Sequence, residues 1–343
     1  MSKRGLIFTL ALLIIILFSF IALYFGYFLI SPAGIDKKET IFIVKKGSGL
    51  RTVANELRRK RLIKSKDLFI LCAILKGGTK DIKAGEYSLN QSMSPVEIFY
   101  ILSTGAIKTY TVTIPEGLTA QQIADVLATK NLVNIREFIS LVMDETLAAS
   151  YHIDGTNLEG YLFPDTYVIS RDTSARELID LMITRFQKIF TALIQDQKST
   201  TDRLLPAKDI VTLASIVEKE GGRAEEKPII ASVFLNRLNK RMRLESDPTV
   251  IYGLKNFDGN LKKKDLRTPG PYNTYIHHGL PPGPIANPGR EALLAVIDPV
   301  KTDYLYFVSK NDGSHYFSTT LEEHNRAVVR YQKTPRSTTS KQH

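Results

Sequence analysis

The sequence predicts a mixed α/β protein of the α+β kind with one N-terminal transmembrane helix, and three observations lead to this fold class. An uncharged apolar run near the N-terminus is long enough to cross a membrane. Two similar copies of a strand and helix pattern fill the first half of the chain. The second half combines longer helical patterns with Gly- and Pro-rich loops and a strand pair around Asn311-Asp312-Gly313. With 343 residues, the chain is expected to form two or three domains.

The apolar run covers residues 6–30, and about 20 such residues are enough to span a bilayer as a helix. Tyr24 and Tyr27 lie near its end, where aromatic side chains meet the membrane surface. A cleaved signal peptide would have a shorter apolar core of about 7–15 residues. We therefore predict a retained anchor. Lys3 and Arg4 favour a cytoplasmic N-terminus, but lysines between residues 37 and 46 oppose that bias, so the charge rule gives only weak support for an extracytoplasmic body.

The two copies cover residues 40–105 and 110–185. Leu57 of the first copy matches Leu127 of the second, and after an insertion Tyr87 matches Tyr167. Each copy is predicted to contain a short strand (41–44 or 111–114), a Gly turn, two helices, a second strand and a capped helix. This order resembles a LysM module, which would imply glycan binding. A duplicated packing unit without binding is the alternative, and the chain has no tryptophan for stacking on sugars.

Composition and charge exclude some classes of function. Hydrophobic residues make up 43% and charged residues 24% of the chain, as in ordinary folded proteins. A net charge of +11 fits either a basic solvated surface or attraction to an anionic polymer or lipid. No zinc-finger, RNP or basic-zipper pattern occurs, so we expect no nucleic-acid partner. Cys72 is the only cysteine, which excludes an intramolecular disulfide, and its apolar neighbours predict a buried thiol.

A helix from Asp209, as its N-cap, to about Glu220 carries the most informative carboxylates. Gly221-Gly222 is expected to end it. Glu218 and Glu220 lie on opposite flanks of its apolar face, so periodicity does not decide which one is buried. An acid beside apolar neighbours can have the raised pKa that glycosidic cleavage requires. A solvated last helical turn is the alternative for both glutamates.

Three further segments offer groups that suit a sugar. A second helix is predicted over 225–242, followed by a turn in which Asp247 either caps the next helix or acts on substrate. Asn273 and Tyr275 provide an amide, a hydroxyl and a ring within one loop. The loop 279–289 is rich in Gly and Pro and is either a ligand-approaching loop or a connector. A last helix is predicted over 322–331. Metal-site and phosphate-loop motifs are absent, so we expect no metal and no cofactor.

Five motifs in order resemble those of the YceG-like endolytic murein transglycosylases: L-A-S-I-V-E-K-E, R-L-E-S-D-P-T-V-I-Y-G, Y-N-T-Y, G-L-P-P-G-P-I-A-N-P-G and Y-L-Y-F-V. The resemblance covers nearly the whole chain. It implies an inner-membrane anchor, a periplasmic body, cleavage within peptidoglycan glycan strands, and coupling to cell-wall synthases. It also implies that the first glutamate of V-E-K-E, Glu218, is catalytic.

On this resemblance, Glu218 would act as general acid and then base, giving 1,6-anhydro-muramic ends. From their residue types and positions, we predict that Asp247, Asn273 and Tyr275 position the sugar. Two alternatives remain open: a muramidase-type hydrolase using Glu218 with Asp247, and a non-catalytic, membrane-anchored peptidoglycan-binding scaffold. The expected organisation is a cytoplasmic tail (1–5), a transmembrane helix (6–30), a linker (31–39), a LysM-like unit (40–105), a second repeat unit (110–185), a catalytic domain (186–333) and a disordered tail (334–343).

Overall fold

The computed structural model describes residues 3–77, 82–196 and 205–333, and the predicted tail 334–343 lies outside them. Small two-stranded sheets and many helices give a mixed α+β architecture, as predicted. The chain divides into two compact units. The first extends to Tyr110 and includes Val168–Asp172, and the second holds Thr111–Tyr167 together with the chain from Thr173 onward.

The first unit contains the N-terminal helix and one small α/β core. Its elements are α1 (Lys3–Ile30), β1 (Thr40–Val44), α2 (Leu50–Arg59), α3 (Lys66–Leu75), β2 (Gly85–Leu89) and α4 (Pro95–Thr104). Strands β1 and β2 pair antiparallel, with Thr40 opposite Leu89 and Val44 opposite Gly85.

Local sequence signals explain the helices of this unit. Helix α2 buries Val53, Ala54 and Leu57, one face at helical spacing, in the core of the unit. Helix α4 begins at a complete capping box, in which the Ser94 hydroxyl accepts from the Glu97 amide and the Glu97 carboxylate accepts from the Ser94 amide. Cys72 is buried, as predicted.

Within the described residues, Ile7–Ile30 is the only helical stretch long and apolar enough to cross a membrane, and its side chains face outward along most of its length. It is a candidate membrane anchor or signal sequence. Its last turns are not free, because Phe28 is buried against the first unit, where α1 packs on α3 and α4. The segment that follows is also bound, since the Gly34 amide donates to the Gln91 carbonyl.

Two further short strands form a sheet of their own. Strand β3 (Tyr110–Thr113) pairs with β4 (Thr166–Ile169). The helices between them are α5 (Ala120–Thr129), α6 (Ile135–Val142) and α7 (Glu145–Ser150).

The rest of the second unit is mainly helical. Its elements are α8 (Ala175–Asp196), α9 (Ala207–Glu220), α10 (Lys227–Asn239), α11 (Asp247–Gly253), α12 (Arg290–Ile297), β5 (Tyr306–Ser309), β6 (His315–Ser318) and α13 (Leu321–Val328). Helices α9, α10 and α12 pack on one another, and α9 is buried from Ile210 to Val217. The strand pair β5–β6 is antiparallel, with Tyr306 opposite Ser318, as the Asn-Asp-Gly turn predicted.

Some predicted boundaries in the second unit are wrong. Helix α9 begins after Pro206, so Asp209 lies in its first turn and is not the N-cap. The second helix begins at Lys227, after a 3₁₀ turn over Ala224–Glu226. The first residues of α9 and α10 are set by a proline and by a 3₁₀ turn, respectively. A search for capping residues alone does not predict either start.

Candidate functional site

The end of helix α9 separates the two candidate glutamates. The helix stops at Gly221, with φ +74°, and Gly222 follows with φ +92°. A Cβ atom at Gly222 would lie 3.0 Å from both Glu226 Oε2 and His315 Cε1. Glycine is therefore required for the backbone conformation and for the space, and the chain turns sharply after the glutamates.

Glu218 takes part in a nearly buried ion pair. Its two carboxylate oxygens lie 2.9 and 3.1 Å from Lys227 Nζ, and the Gly289 amide donates to Oε2 at 3.1 Å. The side chains of Glu218 and Lys227 are only 9% and 10% exposed. Lys227 Nζ also lies 3.6 Å from Glu116. The contacts of Glu218 are thus those of a structural salt bridge that joins α9, α10 and the loop before α12.

Glu220 faces a different environment, a cleft of about 470 Å³. Burial raises the pKa of its carboxyl to about 7; the neighbouring Asp247 adds to the rise, while the Ser246 hydrogen bond and Arg237 oppose it. The Ser246 hydroxyl donates to Glu220 Oε1 at 2.5 Å. A carboxyl with this pKa is partly protonated at neutral pH, which is the state that a general acid needs.

The cleft wall combines acids, cations and rings, as a site for a polar ligand requires. Its lining side chains come from α9, α10, α11, the loop that carries Tyr275, both strands of the hairpin and the C-terminal helical segment. The polar and aromatic members include Glu220, Arg237, Glu245, Asp247, Tyr275, Phe307, His315 and His324.

Asp247 and Tyr275 meet in this cleft. The Tyr275 hydroxyl donates to Asp247 Oδ1 at 2.6 Å. Burial, followed by this bond to Asp247, raises the pKa of the Tyr275 hydroxyl above its usual range, so the group stays a donor. The interpretation of Asp247 as an Asx cap is wrong, because Asp247 is the first residue of α11 and Ser246 occupies the N-cap position.

Asn273 does not line the cleft. It is 4% exposed, and its amide nitrogen donates to the carbonyls of Leu266 at 3.1 Å and Thr268 at 2.8 Å. Its amide oxygen accepts from the Tyr275 backbone N–H at 2.9 Å. The side chain therefore fixes the loop that presents the Tyr275 ring.

The Gly- and Pro-rich loop 279–289 is held to the core of the second unit by Asn287. The Asn287 amide nitrogen donates to the Leu118 carbonyl and to Glu159 Oε1, each at 2.9 Å, and its oxygen accepts from the Leu162 amide at 2.8 Å. Glu159 is 2% exposed, and burial raises its pKa to about 7 despite hydrogen bonds from Ala120, Tyr252 and Asn287.

This network leads to a prediction about stability. We expect Asn287→Ala to lower the free energy of unfolding by about 2–4 kcal/mol, because it removes three side-chain hydrogen bonds at once, to Glu159, the Leu118 carbonyl and the Leu162 amide. Denaturant unfolding followed by circular dichroism measures the change. Asn260→Ala, in an exposed loop, is the matched control. Equal stabilities of the two variants would show that the network contributes little.

Comparison with known proteins agrees with the five motifs found in the sequence. The YceG-like family matches residues 42–330 of the chain. This protein belongs to the YceG-like family. An endolytic murein transglycosylase of Bacillus subtilis (strain 168) is 36% identical to it over 330 residues, which cover 90% of each chain. One from Streptococcus pneumoniae (serotype 2, strain D39) is 32% identical over 345 residues, covering 90% of this chain and 62% of that protein.

A solved structure within the YceG-like family also matches. The 2.6 Å crystal structure of a putative YceG-like protein from Listeria monocytogenes is 33% identical, with a TM-score of 0.56, and the match covers 85% of this chain and 100% of that chain. This YceG-like chain is therefore similar in sequence to these relatives and similar in fold to the Listeria monocytogenes protein.

Sequence reasoning found some of the cleft residues of this YceG-like protein and missed others. It singled out Asp247 and Tyr275, which the structure brings together, and it weighed Glu220 without choosing it. It missed Arg237 and His315, whose positions in the cleft depend on the packing of α10 and on the β5–β6 hairpin. The β5–β6 hairpin itself was predicted, and side chains that pair across a hairpin lie on the same face of the sheet. That pairing was the sequence signal available for His315.

Proposed function

We propose that this protein is a lytic transglycosylase that cuts within the glycan strands of peptidoglycan. Its relatives in Bacillus subtilis and Streptococcus pneumoniae carry the name endolytic murein transglycosylase. The observation that carries the proposal is the position of Glu220, a carboxyl in an open cleft with its pKa raised to about 7. A general acid is what cleavage of a glycosidic bond requires first.

We assign this acid role to Glu220 rather than to Glu218, the residue that the resemblance implied. Glu220 lines the cleft, whereas both oxygens of Glu218 are engaged by Lys227. The oxygens of Glu218 are thus occupied by Lys227 and by the Gly289 amide, whereas a substrate in the cleft can meet the carboxyl of Glu220. The geometry therefore favours Glu220, and a pair of glutamine variants tests the assignment.

A single carboxyl group, that of Glu220, is sufficient for the proposed cleavage. Protonated Glu220 donates its proton to the oxygen between N-acetylmuramic acid and N-acetylglucosamine as the C1–O bond breaks. The muramic C6 hydroxyl attacks C1, and its proton passes to the Glu220 carboxylate, which regenerates the acid. The products are a new chain end on N-acetylglucosamine and a 1,6-anhydro-muramic end. No water is consumed, so atoms and charge balance without a second catalytic carboxylate.

Asp247 gives the second candidate function some support. It lies in the same cleft as Glu220, and two carboxyl groups across a glycosidic bond are the machinery of a hydrolase. Its Oδ1 atom accepts a hydrogen bond from the Tyr275 hydroxyl, which holds the carboxyl group in place within the cleft. A muramidase-type hydrolase would leave reducing ends.

Mass spectrometry of the products separates these functions. The purified full-length protein in detergent is incubated with purified peptidoglycan, and the soluble fragments are weighed. Fragments with 1,6-anhydro ends support the lytic transglycosylase. Fragments heavier by one water support the hydrolase, and retention of glycan without any product would support a binding scaffold.

We also propose that residues 40–105 and 110–185 are copies of one LysM-like unit. The order strand, helix, helix, strand, helix occurs in both, with α7 as an extra helix in the second. We further infer that α1 anchors the protein in the inner membrane by a single span with the body outside the cytoplasm. The candidate span Ile7–Ile30 and the peptidoglycan substrate of the named relatives support this placement.

The raised pKa of Glu220 predicts a pH dependence with two consequences. Activity depends on the protonated acid, so kcat/KM is expected to fall as the pH rises through about 7. Folding stability is expected to fall over the same range. The pKa of Glu220 in the folded protein lies above its ordinary value of 4.5, so its contribution to stability is fully present below pH 4.5 and is lost as the pH rises through about 7.

The stability effect is measured as a difference between variants. Glu159 has a similar pKa, so its contribution cancels when the wild type is compared with Glu220→Gln. We expect the glutamine variant to gain about 1–3 kcal/mol relative to the wild type between pH 4.5 and 8, because glutamine needs no proton to be neutral. A constant difference across this range would mean that Glu220 has an ordinary pKa.

A further inference from the structure

His315, the first residue of β6, forms a tightly held dyad with Glu226. The Nδ1 atom of His315 lies 2.8 Å from Glu226 Oε2, and the His315 backbone N–H donates to Glu226 Oε1 at 2.9 Å. The two side chains are 10% and 14% exposed. The rings of Phe307 and Phe317 lie against the imidazole, with centroids 5.5 and 6.2 Å away.

The dyad lies beside the end of α9. Gly222, two residues after Glu220, would bring a Cβ atom to 3.0 Å from His315 Cε1 and 3.1 Å from its Nδ1. The imidazole is thus fixed by a carboxylate on one edge, by two aromatic rings, and by the backbone next to the proposed acid. Such support is far more than a surface histidine needs, and it fixes the direction of the remaining ring nitrogen.

That remaining nitrogen, Nε2, is left for a ligand. A carboxylate only accepts hydrogen bonds, so Nδ1 carries a proton in the dyad, and the ring tautomer with its proton on Nδ1 has Nε2 as the acceptor. Among the described residues, no hydrogen-bond partner of Nε2 is found, and His315 lines the same cleft as Glu220. Asp247, another acceptor in the cleft, already holds the Tyr275 hydroxyl.

We propose that His315 Nε2 accepts a hydrogen bond from the muramic C6 hydroxyl and aims its oxygen at C1. This inference rests on the proposed lytic transglycosylase function and deepens it. The O6–C1 bond forms as the glycosidic C1–O bond breaks, and the O6 proton passes first to Nε2 and then from Nε2 to the Glu220 carboxylate. His315 thus contacts the reacting hydroxyl, selects it over water as the nucleophile, and ends the cycle in the protonation state in which it began.

Two substitutions of His315 test the roles of Nδ1 and Nε2 separately. In His315→Asn, the amide nitrogen can replace Nδ1 and keep the bond to Glu226, but nothing occupies the place of Nε2. In His315→Gln, the longer side chain can bring its amide oxygen near the place of Nε2. We expect the asparagine variant to lose at least about tenfold in kcat with a smaller change in KM, since orientation of the nucleophile contributes to the chemical step.

The decisive readout is the nature of the product ends. We expect the share of 1,6-anhydro ends to fall in His315→Asn, with reducing ends from attack by water taking their place, and to be largely kept in His315→Gln. A histidine with a purely structural role would change the rate without changing this share. His152→Asn, at an exposed position with φ +60° that asparagine tolerates, is the matched control and is expected to behave as the wild type.

Glu226→Gln provides a second test that leaves the imidazole in place. The glutamine amide cannot accept from both the His315 backbone N–H and Nδ1–H, so its NH₂ group favours the ring tautomer with the proton on Nε2. In that tautomer Nε2 is a donor and no longer an acceptor. We expect the same shift toward reducing ends as in His315→Asn.

The outcomes are distinct. If the wild type gives 1,6-anhydro ends and the share of these ends is unchanged in both His315→Asn and Glu226→Gln, the inference about His315 is overturned and the proposed function stands. If the wild type itself gives only reducing ends or no cleavage, the proposed function fails and this inference fails with it.

Discussion

We expect Glu220→Gln to cleave peptidoglycan about 10³-fold or more slowly than the wild type, because glutamine fills the same space but has no proton to donate. Release of soluble fragments from purified peptidoglycan, measured under first-order conditions, gives kcat/KM for each variant. The melting temperature of each variant, recorded in the same buffer, establishes that the loss is not caused by unfolding.

Glu218→Gln is the matched control for this experiment, since it makes the same chemical change two residues earlier on the same helix. It is expected to keep activity within about tenfold of the wild type per folded molecule, because its contacts are with Lys227 and Gly289 rather than with the cleft. The reverse pattern, an active Glu220→Gln and an inactive Glu218→Gln, would restore Glu218 as the acid.

The second large effect concerns stability. Lys227→Met is expected to lower the free energy of unfolding by about 3–5 kcal/mol, because it leaves the Glu218 carboxylate nearly buried without its cation. Thermal and denaturant unfolding measure the change. The double variant Glu218→Gln/Lys227→Met removes both charges and is expected to recover most of the loss, since the uncompensated charge is then gone.

A different result for the lysine would be informative. If Lys227→Met keeps its stability but loses cleavage in proportion to Glu220→Gln, the ion pair belongs to the chemistry and not to the scaffold. The exposed lysine Lys240, one residue after α10, offers a matched Lys→Met control with no buried partner.

The sequence predicted what local signals can specify. The capping box at Ser94 and the apolar spacing of Val53, Ala54 and Leu57 depend on residues a few positions apart, and the helices α4 and α2 follow from them. The hairpin β5–β6 follows from its turn residues in the same way. For these elements, the local preference and the final packing agree.

The choice between the two glutamates lies beyond such signals. Glu218 and Glu220 both flank the apolar face of α9, and what distinguishes them is the partner that each one meets. Lys227 comes from the next helix, and Ser246 lies 26 residues after Glu220, beyond the end of α10. The dyad of His315 with Glu226 spans 89 residues. The positions of these partners are set by tertiary packing, so the environment of each glutamate cannot be predicted from periodicity.

The bound end of α1 has a consequence for how the enzyme finds its substrate. Because Phe28 is packed into the first unit and Gly34 is hydrogen-bonded to Gln91, that unit does not swing on a loose tether. With α1 in a bilayer, the first unit keeps a fixed height above the lipid and moves only within the plane of the membrane. Encounter with the cell wall then becomes a two-dimensional search, in which the number of molecules per membrane area, and not their concentration in solution, sets the frequency of cuts.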